Sequence, residues 1–343
     1  MNVLRVTIFC VLVLSFFTPL HFNPTFAADL DSFLSMNVLL EDSIDAVNVK
    51  TNENFKNVLN EVNKLIIPKN CNSAVMEMVG RMYSKSNKKD NIIEWVIHSG
   101  EIDRYPKKGN LSKKEYERLI NSNNIWREAK VYPAIYNKYN IPYMGGFINM
   151  NGYYIGPDKI DHALGLGIIY FANYISLLKR KHLSEEERLE KVLKLGYSSE
   201  RYFIGMGMGQ LLSYGDLEAN WQGFEMYKSM CYGDNPRLKK NSSGKWELVR
   251  EIDWRDYINA YMDELYNPCA MYDNKEKIER FHSIVRKKYC KDELLHGEIL
   301  TNRFDYYSNS TKELSLNQKW VEREMIAGKI FNNKIHTLES ICK

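Results

Sequence analysis

The chain has 343 residues, and its 47 Lys and Arg nearly balance its 43 Asp and Glu, which leaves a net charge of +4. Its basic residues are scattered, so the composition excludes the strongly basic surface on which nucleic-acid binding depends. We therefore expect no nucleic-acid partner. The 23 Tyr and 6 Trp would suit a polymer with sugar faces or a protein partner, and they are equally typical of an ordinary exported fold.

The N-terminus has the pattern of a secretory signal peptide. Arg5 precedes an apolar run from residue 6 to residue 20, and small residues follow at positions 27 and 28. Thr18 and Pro19 interrupt the run, which is shorter than the roughly 20 residues that a spanning helix requires. We predict a periplasmic or secreted protein that loses residues 1–27 and keeps no transmembrane segment; a retained anchor is the alternative.

Five cysteines remain after such a cleavage, at positions 71, 231, 269, 290 and 342. An odd number permits at most two bridges and one free thiol within a monomer. Their spacings match no zinc motif. Export favours disulfides, and Cys269 with Cys290, or Cys71 with one of the later cysteines, are candidate pairs.

Three regions follow the signal segment. Residues 28–110 form an N-terminal helical region, in which apolar spacing predicts two or three helices before residue 86. Residues 111–232 form a core helical region. It opens with the capping box of Ser112 and Glu115, and β-forming residues on both sides of Asn151-Gly152 then predict a hairpin.

The core region continues with several predicted helices. Pro157 and Asp158 begin one that extends to about residue 180. A second begins at the capping box of Ser184 and is expected to end at Gly196. A third is expected to carry Glu200 in its first turn, capped by residue 198 or 199 and followed by glycines at 205, 207 and 209, and residues 216–230 form the last.

Residues 233–343 form a C-terminal helical region and tail. A second hairpin is predicted around residues 241–244, and residues 254–265 and 275–289 have the pattern of amphipathic helices. The tail from Lys291 is weakly periodic. The fold class predicted is mainly α, as a single helical domain with one or two small β-hairpins and a peripheral tail.

Six polar side chains in the core region form the candidate site. Asp158 and His162 are four residues apart, as are Asp216 and Asn220, so each pair lies on one face of its own helix and the two faces can meet. Asp161 and Glu218 point away from these faces and are expected at the surface. The six are Asp158, Lys159, His162, Glu200, Asp216 and Asn220.

These positions form a recognisable signature. Asp-Lys-x-x-His opens one helix, a glutamate follows on a second, and Ser-x-x-Asp-x-x-Ala-Asn-x-x-Gly lies on a third, between Ser213 and Gly223. The pattern resembles that of VanZ-like and YfiM-like bacterial cell-envelope proteins. VanZ-like proteins span the membrane several times, whereas the matching helices here carry charges such as Arg180 and Arg201. The resemblance implies an envelope setting and a common site, without a reaction.

Four interpretations of the site remain open. In a metal hydrolase, His162 with Asp158 and Asp216 would hold a divalent ion, but a single histidine supports zinc poorly and we assign no metal ligand. In a glycosidase, Glu200 would protonate the leaving oxygen while Asp216 supplied charge or activated water. In a binding protein, Lys159, His162 and Asn220 would hold an anionic or amide group. In the fourth, the residues are a buried network that only specifies packing.

The hypothesis taken forward is an exported cell-envelope hydrolase of a wall glycan or related polymer. Its catalytic residues would be Glu200, Asp216 and His162, and Asp158, Lys159 and Asn220 would bind the substrate. No cofactor is identified from the sequence. The alternative is a non-catalytic envelope binding or maintenance protein with the same cleft, and the segment 253–268 either lines one wall of that cleft or packs as an ordinary helix.

Overall fold

The structure is a computed structural model that describes residues 32–64, 68–82, 92–122, 124–132, 146–272, 274–310 and 313–343. The predicted signal segment 1–27 lies outside the described residues. Within them the fold is mainly α, as predicted. No helix of these ranges combines the length and the apolar composition that crossing a membrane requires.

Helices form most of the described backbone. They are α1 (Ile44–Lys64), α2 (Cys71–Met82), α3 (Ile92–His98), α4 (Lys113–Ser122), α5 (Ile125–Glu128), α6 (Pro157–Asp161), α7 (Gly167–Leu178), α8 (Glu185–Tyr202), α9 (Tyr214–Cys231), α10 (Lys275–Tyr289), α11 (Asp292–Leu295), α12 (Glu298–Ser310), α13 (Leu316–Ile326) and α14 (Leu338–Cys342).

Within the described ranges, three short antiparallel strand pairs accompany these helices. Both predicted hairpins are present, and the first turns at Asn151 and Gly152, whose φ angles of 56° and 82° suit an Asn-Gly turn. The third pair joins segments that are distant in sequence. The strands are β1 (Ile148–Met150) with β2 (Tyr153–Ile155), β3 (Leu211–Leu212) with β6 (Ala270–Met271), and β4 (Leu238–Lys240) with β5 (Trp246–Leu248).

The predicted helix from residue 157 is present as one continuous helical segment. It begins at Pro157 and ends at Leu178, but between α6 and α7 it widens into a π-helical turn at His162–Leu166. Such turns insert a residue into the helix and are frequent at functional sites. His162 lies at the start of this turn, so the widening occurs at a candidate site residue.

Helix α8 is longer than the sequence predicts. Its capping box at Ser184 and Glu187 is present, yet the helix passes through Gly196 and ends only at Tyr202. The expectation that Gly196 ends this helix is wrong, because the missing side chain makes room for the Tyr170 hydroxyl, which would lie 1.7 Å from a Cβ at this position. Glu200 therefore lies in the last turn of α8 instead of the first turn of a new helix.

Helices α7 and α9 approach each other closely through glycines. A Cβ at Gly223 would lie 1.9 Å from the Ala163 carbonyl oxygen, and a Cβ at Gly167 would lie 2.7 Å from the Gly223 carbonyl carbon. Only the absence of side chains permits this backbone contact. The contact places the polar residues of α6 and its π-helical turn against those of α9.

Two predictions for the C-terminal region are wrong. Residues 254–265 form two short 3₁₀ turns instead of an amphipathic helix, because Asn259 has an extended backbone and its side chain caps a new turn by accepting from the Tyr261 amide. The tail is helical and partly central, since Tyr307 of α12 and Trp320 of α13 belong to the main hydrophobic core. That core also contains residues of the N-terminal and core regions.

Two disulfides join distant parts of the chain. Cys71 of α2 bonds to Cys231 at the end of α9, and Cys290 bonds to Cys342 of α14. The first agrees with the candidate pairing of Cys71 with a later cysteine. The pairing of Cys269 with Cys290 is wrong, because Cys269 is a buried thiol beside the β3–β6 pair.

Candidate functional site

The structure brings all six candidate residues together. Asp158, Lys159 and His162 come from α6 and the π-helical turn, Glu200 from α8, and Asp216 and Asn220 from α9. Each is buried, with 0–2% of its surface exposed. The prediction that these residues meet holds, but they form an enclosed cluster among helices and not the wall of an open cleft.

Lys159 lies at the centre of a group of three carboxylates in the cluster. Its ammonium donates to Asp158 Oδ2 at 2.6 Å, to Asp216 Oδ1 at 2.6 Å and to Glu264 Oε1 at 2.5 Å. An ammonium has three N–H donors, so these three carboxylates use all of them. The geometry therefore favours a role for Lys159 as the counter-ion of the carboxylates over the predicted role in substrate binding.

The same three carboxylates are the group of described residues that could hold a metal ion. Their ligand oxygens lie within 4.8 Å of one another. Hard cations such as magnesium prefer carboxylate oxygens. In this arrangement, however, the Lys159 ammonium already contacts all three carboxylates and supplies the positive charge that an ion would otherwise bring.

His162 connects the carboxylates around Lys159 to Glu200. Its Nδ1 lies 3.0 Å from Asn220 Oδ1, and Asn220 Nδ2 donates to Glu200 Oε1 at 3.3 Å. Because an amide oxygen only accepts, Nδ1 carries a hydrogen. On the other side of the ring, Nε2 lies 3.3 Å from Asp216 Oδ2. His162 thus separates Glu200 from Asp216, and these two carboxyls do not face each other across an open gap.

Glu200 titrates close to neutral pH. Burial raises the pKa of its carboxyl to about 7, the positive charge of His162 opposes this rise, and Asp216 adds to it. A buried carboxyl with such a pKa can donate a proton and later accept one near neutral pH. This is the property that the sequence assigned to Glu200 as a catalytic acid.

Neighbouring charges determine the pKa values of Asp216 and His162. Burial alone would raise the pKa of Asp216, but the charges of His162 and Lys159 outweigh it and hold that pKa below its usual range. Burial alone would lower the pKa of His162, but Asp216 and Glu200 outweigh it and raise that pKa. Asp216 is therefore a stable anion, and His162 is stabilised as a cation beside it.

Several atoms of the cluster lack a hydrogen bond within the described part of the chain. They are Glu200 Oε2, Asp158 Oδ1, Asp216 Oδ2, His162 Nε2 and, on the adjacent α7, Tyr170 Oη. The Asp216 and His162 atoms are an ion-pair contact without hydrogen-bond alignment. A buried polar atom without a partner costs about 1–3 kcal/mol, so the network is incomplete as a purely structural device.

The surface assignment of Asp161 and Glu218 is wrong. Asp161 is 4% exposed and Glu218 is fully buried. Glu218 lies on the opposite face of α9 from Asp216, and neutral donors surround its carboxylate because α13 and the 3₁₀ turns cover that face. These donors are Gln222, Asn259, Ser315, Asn317 and Gln318.

Sequence reasoning also missed two members of the cluster. Glu264 binds Lys159 and accepts a hydrogen bond from Ser213 Oγ at 2.7 Å. It lies in the segment 253–268 for which a wall of the site was one of two alternatives, and an acidic residue in that segment was the available signal. Tyr170 had no signal of its own, because one tyrosine on an apolar helix is ordinary core.

Comparison with known proteins adds little to this geometry. The sequence matches no family model, and no solved structure matches it. A stretch of 88 residues is 30% identical to activin receptor type-2A of Xenopus laevis, which amounts to 23% of this chain and 16% of the receptor. The chain spans less than a fifth of that receptor's length, so this likeness does not show a family.

Proposed function

We propose that this chain is an exported cell-envelope hydrolase of a wall glycan or related polymer, with Glu200 as its acid–base group. One observation carries the proposal. Glu200 has a pKa of about 7 and is fully buried, and one of its carboxyl oxygens has no hydrogen-bond partner among the described residues. Perturbed and incompletely bonded carboxyls of this kind concentrate at functional sites.

The neighbouring residues have defined roles in this proposal. Asn220 holds one oxygen of Glu200 and leaves the other available. Asp216 stabilises the positive charge of His162, and that charge stabilises the ionised form of Glu200 once its proton has left. Lys159 keeps Asp158, Asp216 and Glu264 in place. Asp216 then contributes charge and does not activate water directly.

Glu200 alone can both donate and accept the proton that hydrolysis requires. Protonated Glu200 donates its proton to the leaving oxygen as the bond between that oxygen and carbon breaks. The electron pair of that bond leaves with the oxygen, so the carbon is positively charged until a water oxygen bonds to it. The Glu200 carboxylate accepts a proton from this water as the new bond forms. The products are two hydroxyl groups, and Glu200 is protonated again.

A polymer requires an opening to reach this cluster. The glycine-rich π-helical turn Gly205–Gly209 covers Glu200, since a Cβ at Gly205 would lie 2.8 Å from Glu200 Oε2. Gly207 in the same turn is exposed. Glycines leave the backbone of this turn few steric constraints, and we place the entry of the substrate here.

Three observations support the envelope setting. The signature residues that resemble VanZ-like and YfiM-like proteins lie in one cluster. The N-terminal residues have the pattern of a signal peptide. The described residues also contain two disulfides, and such bonds persist in oxidising compartments such as the bacterial periplasm.

The test is muropeptide mass analysis of purified peptidoglycan sacculi after incubation with the exported form of the protein. We expect new fragments with the native chain and none with Glu200→Gln. Glu186→Gln is the matched control, because Glu186 is an exposed glutamate on the same helix. All three proteins must be fully folded under the assay conditions, with melting temperatures well above the assay temperature. Intact sacculi with the native chain would contradict the proposal.

The burial of the cluster favours a second candidate, a non-catalytic envelope binding or maintenance protein. With 0–2% of each side chain exposed, the network can stabilise a fold whose outer surface binds the envelope. Co-sedimentation with sacculi separates the two candidates. A non-catalytic binder sediments with intact sacculi, and Glu200→Gln leaves that binding unchanged, whereas in the hydrolase this substitution abolishes the release of fragments.

A further inference from the structure

The hydroxyl group of Tyr170 lies at the edge of the site, where it has no assigned role. It packs against Gly196 of α8, where a Cβ would be only 1.7 Å away. Gly196 and Glu200 are four residues apart on α8 and so are neighbours on one face of that helix. The Tyr170 hydroxyl is therefore near the Glu200 carboxyl, whose charge raises the pKa of Tyr170.

Both groups have unused hydrogen-bonding capacity. Tyr170 is 3% exposed and Glu200 is fully buried, yet neither Tyr170 Oη nor Glu200 Oε2 has a hydrogen bond within the described part of the chain. Burial, and next the charge of Glu200, raise the pKa of Tyr170, and Asn220, as a side-chain hydrogen-bond donor, opposes that rise. Tyr170 keeps its proton at any physiological pH, so its O–H is a permanent donor, and no acceptor for it lies within the described residues.

One glycine lies against each of these two atoms. A Cβ at Gly196 would lie 1.7 Å from the Tyr170 hydroxyl oxygen, and a Cβ at Gly205 would lie 2.8 Å from Glu200 Oε2. A side chain at either position would collide with one of the two polar groups. The two glycines therefore keep side chains away from the unpaired atoms.

We propose that Glu200 Oε2 and Tyr170 Oη together form a subsite for a single oxygen atom, first the leaving oxygen of the substrate and then the attacking water. With Glu200 protonated, the pair offers two donors, which match the two lone pairs of a bridging ether oxygen. With Glu200 ionised, it offers one donor and one acceptor, which match water. Tyr170 is in this proposal a further catalytic residue.

The atoms balance in both halves of the reaction. The Tyr170 hydroxyl donates a hydrogen bond to the oxygen throughout and keeps its own proton. Glu200 gives its proton to the leaving oxygen, and the departing alcohol is replaced by water in the same subsite. The carboxylate then removes one proton of that water. The catalytic role of this subsite rests on the proposed hydrolase function. Its ability to bind an oxygen atom does not depend on that function.

The first arm of the test is crystallographic. In crystals of the native exported form, we expect one ordered solvent molecule within about 3.2 Å of both Glu200 Oε2 and Tyr170 Oη. Tyr170→Phe should lose this molecule, and Tyr174→Phe should keep it. Tyr174 is the matched control, since it lies one turn further along α7 and bonds to Glu185. A direct bond between the two groups, or no solvent between them, would overturn the subsite.

The second arm is the release of fragments from sacculi. The loss of one such donor costs about 10²-fold or more in kcat, so we expect that loss in Tyr170→Phe, with KM little changed and with Tyr174→Phe like the native chain. Native-like turnover in a folded Tyr170→Phe would overturn the catalytic role. Solvent in the subsite without any turnover by the native chain would remove the hydrolase proposal and leave the subsite. If Tyr170→Phe does not fold, the native crystal alone decides.

Discussion

Lys159 is the residue on which most of the buried charge depends. Its ammonium contacts three carboxylates, and at 2% exposure it has almost no access to solvent. A buried ion pair adds little to folding stability when it is compared with apolar side chains that replace both partners. Removal of one partner alone is costly, because it leaves the other charge buried and uncompensated. Without Lys159, the carboxylates of Asp158, Asp216 and Glu264 would be buried and uncompensated in this way.

We therefore expect Lys159→Met to lower the free energy of unfolding by about 3–5 kcal/mol. Urea unfolding of the purified protein measures this change. Lys228→Met is the matched control, because Lys228 pairs with Glu185 at the surface and a pair of that kind is worth at most about 1 kcal/mol. Equal effects of the two substitutions would show that the buried carboxylates do not depend on the ammonium.

The pKa of Glu200 determines a pH dependence of stability. Its value rises from 4.5 to about 7 on folding, so the folded state binds more protons than the unfolded state between these values. The stabilisation is complete below pH 4.5 and disappears as the pH rises through 7. The raised pKa of His162 acts in the same direction.

Glu200→Gln should remove the part of the pH dependence of folding stability that comes from Glu200. The native chain should lose stability relative to the variant as the pH rises from 4.5 to 7, by up to about 1.4 kcal/mol for each unit of pKa shift. Urea unfolding of both proteins across this pH range gives the difference. A difference that does not change with pH would mean that Glu200 has an ordinary pKa in the folded chain.

At the scale of elements, the site depends on the contact between the π-helical turn and α9. Gly223 has the tightest approach, because a Cβ would lie 1.9 Å from a backbone oxygen of Ala163. Backbone atoms cannot rotate aside as the end of a flexible side chain can. The two helices would have to separate, and with them His162 and Asn220.

Gly223→Ala should consequently destabilise the fold by about 1–3 kcal/mol or more and should also abolish any activity of the site. Thermal unfolding and fragment release are the two measurements. Gly100→Ala is the control, since a Cβ at Gly100 meets nothing within 4 Å, and it should be neutral or slightly stabilising. Similar melting temperatures for the two variants would contradict the close contact.

At the scale of the whole molecule, the two disulfides join helices that are distant in sequence. Cys71–Cys231 closes a separation of 160 residues and Cys290–Cys342 one of 52 residues. In the chain-entropy account, the longer loop is the more stabilising, at about 4–5 kcal/mol. Cys71–Cys231 attaches α2 to α9, the helix that carries Asp216 and Asn220.

Thiol titration of the exported form tests this connectivity. We expect no reactive thiol in the folded protein, because Cys269 is completely buried, and one thiol in denaturant without reductant. Reduction in denaturant should expose all five cysteines that follow residue 28. Three thiols in denaturant before reduction would show that one of the two bridges is absent.

The sequence by itself determined the features that depend on neighbouring residues. The capping boxes at Ser112 and Ser184, the Asn-Gly hairpin and helix α10 follow from local hydrogen bonding and local apolar spacing. The helical repeat also placed Asp158 with His162 and Asp216 with Asn220, and the signature pattern added Lys159 and Glu200 to these four residues.

Only the tertiary structure decided what depends on contacts between distant segments. Gly196 continues a helix because Tyr170 fills the place of its side chain. Glu264 joins the site from a loop, and Glu218 is buried because α13 covers it. Burial and partner distance act through space, and they determine the pKa of Glu200, the enclosure of the site and the disulfide pairing, none of which is encoded in the spacing of residues along the chain.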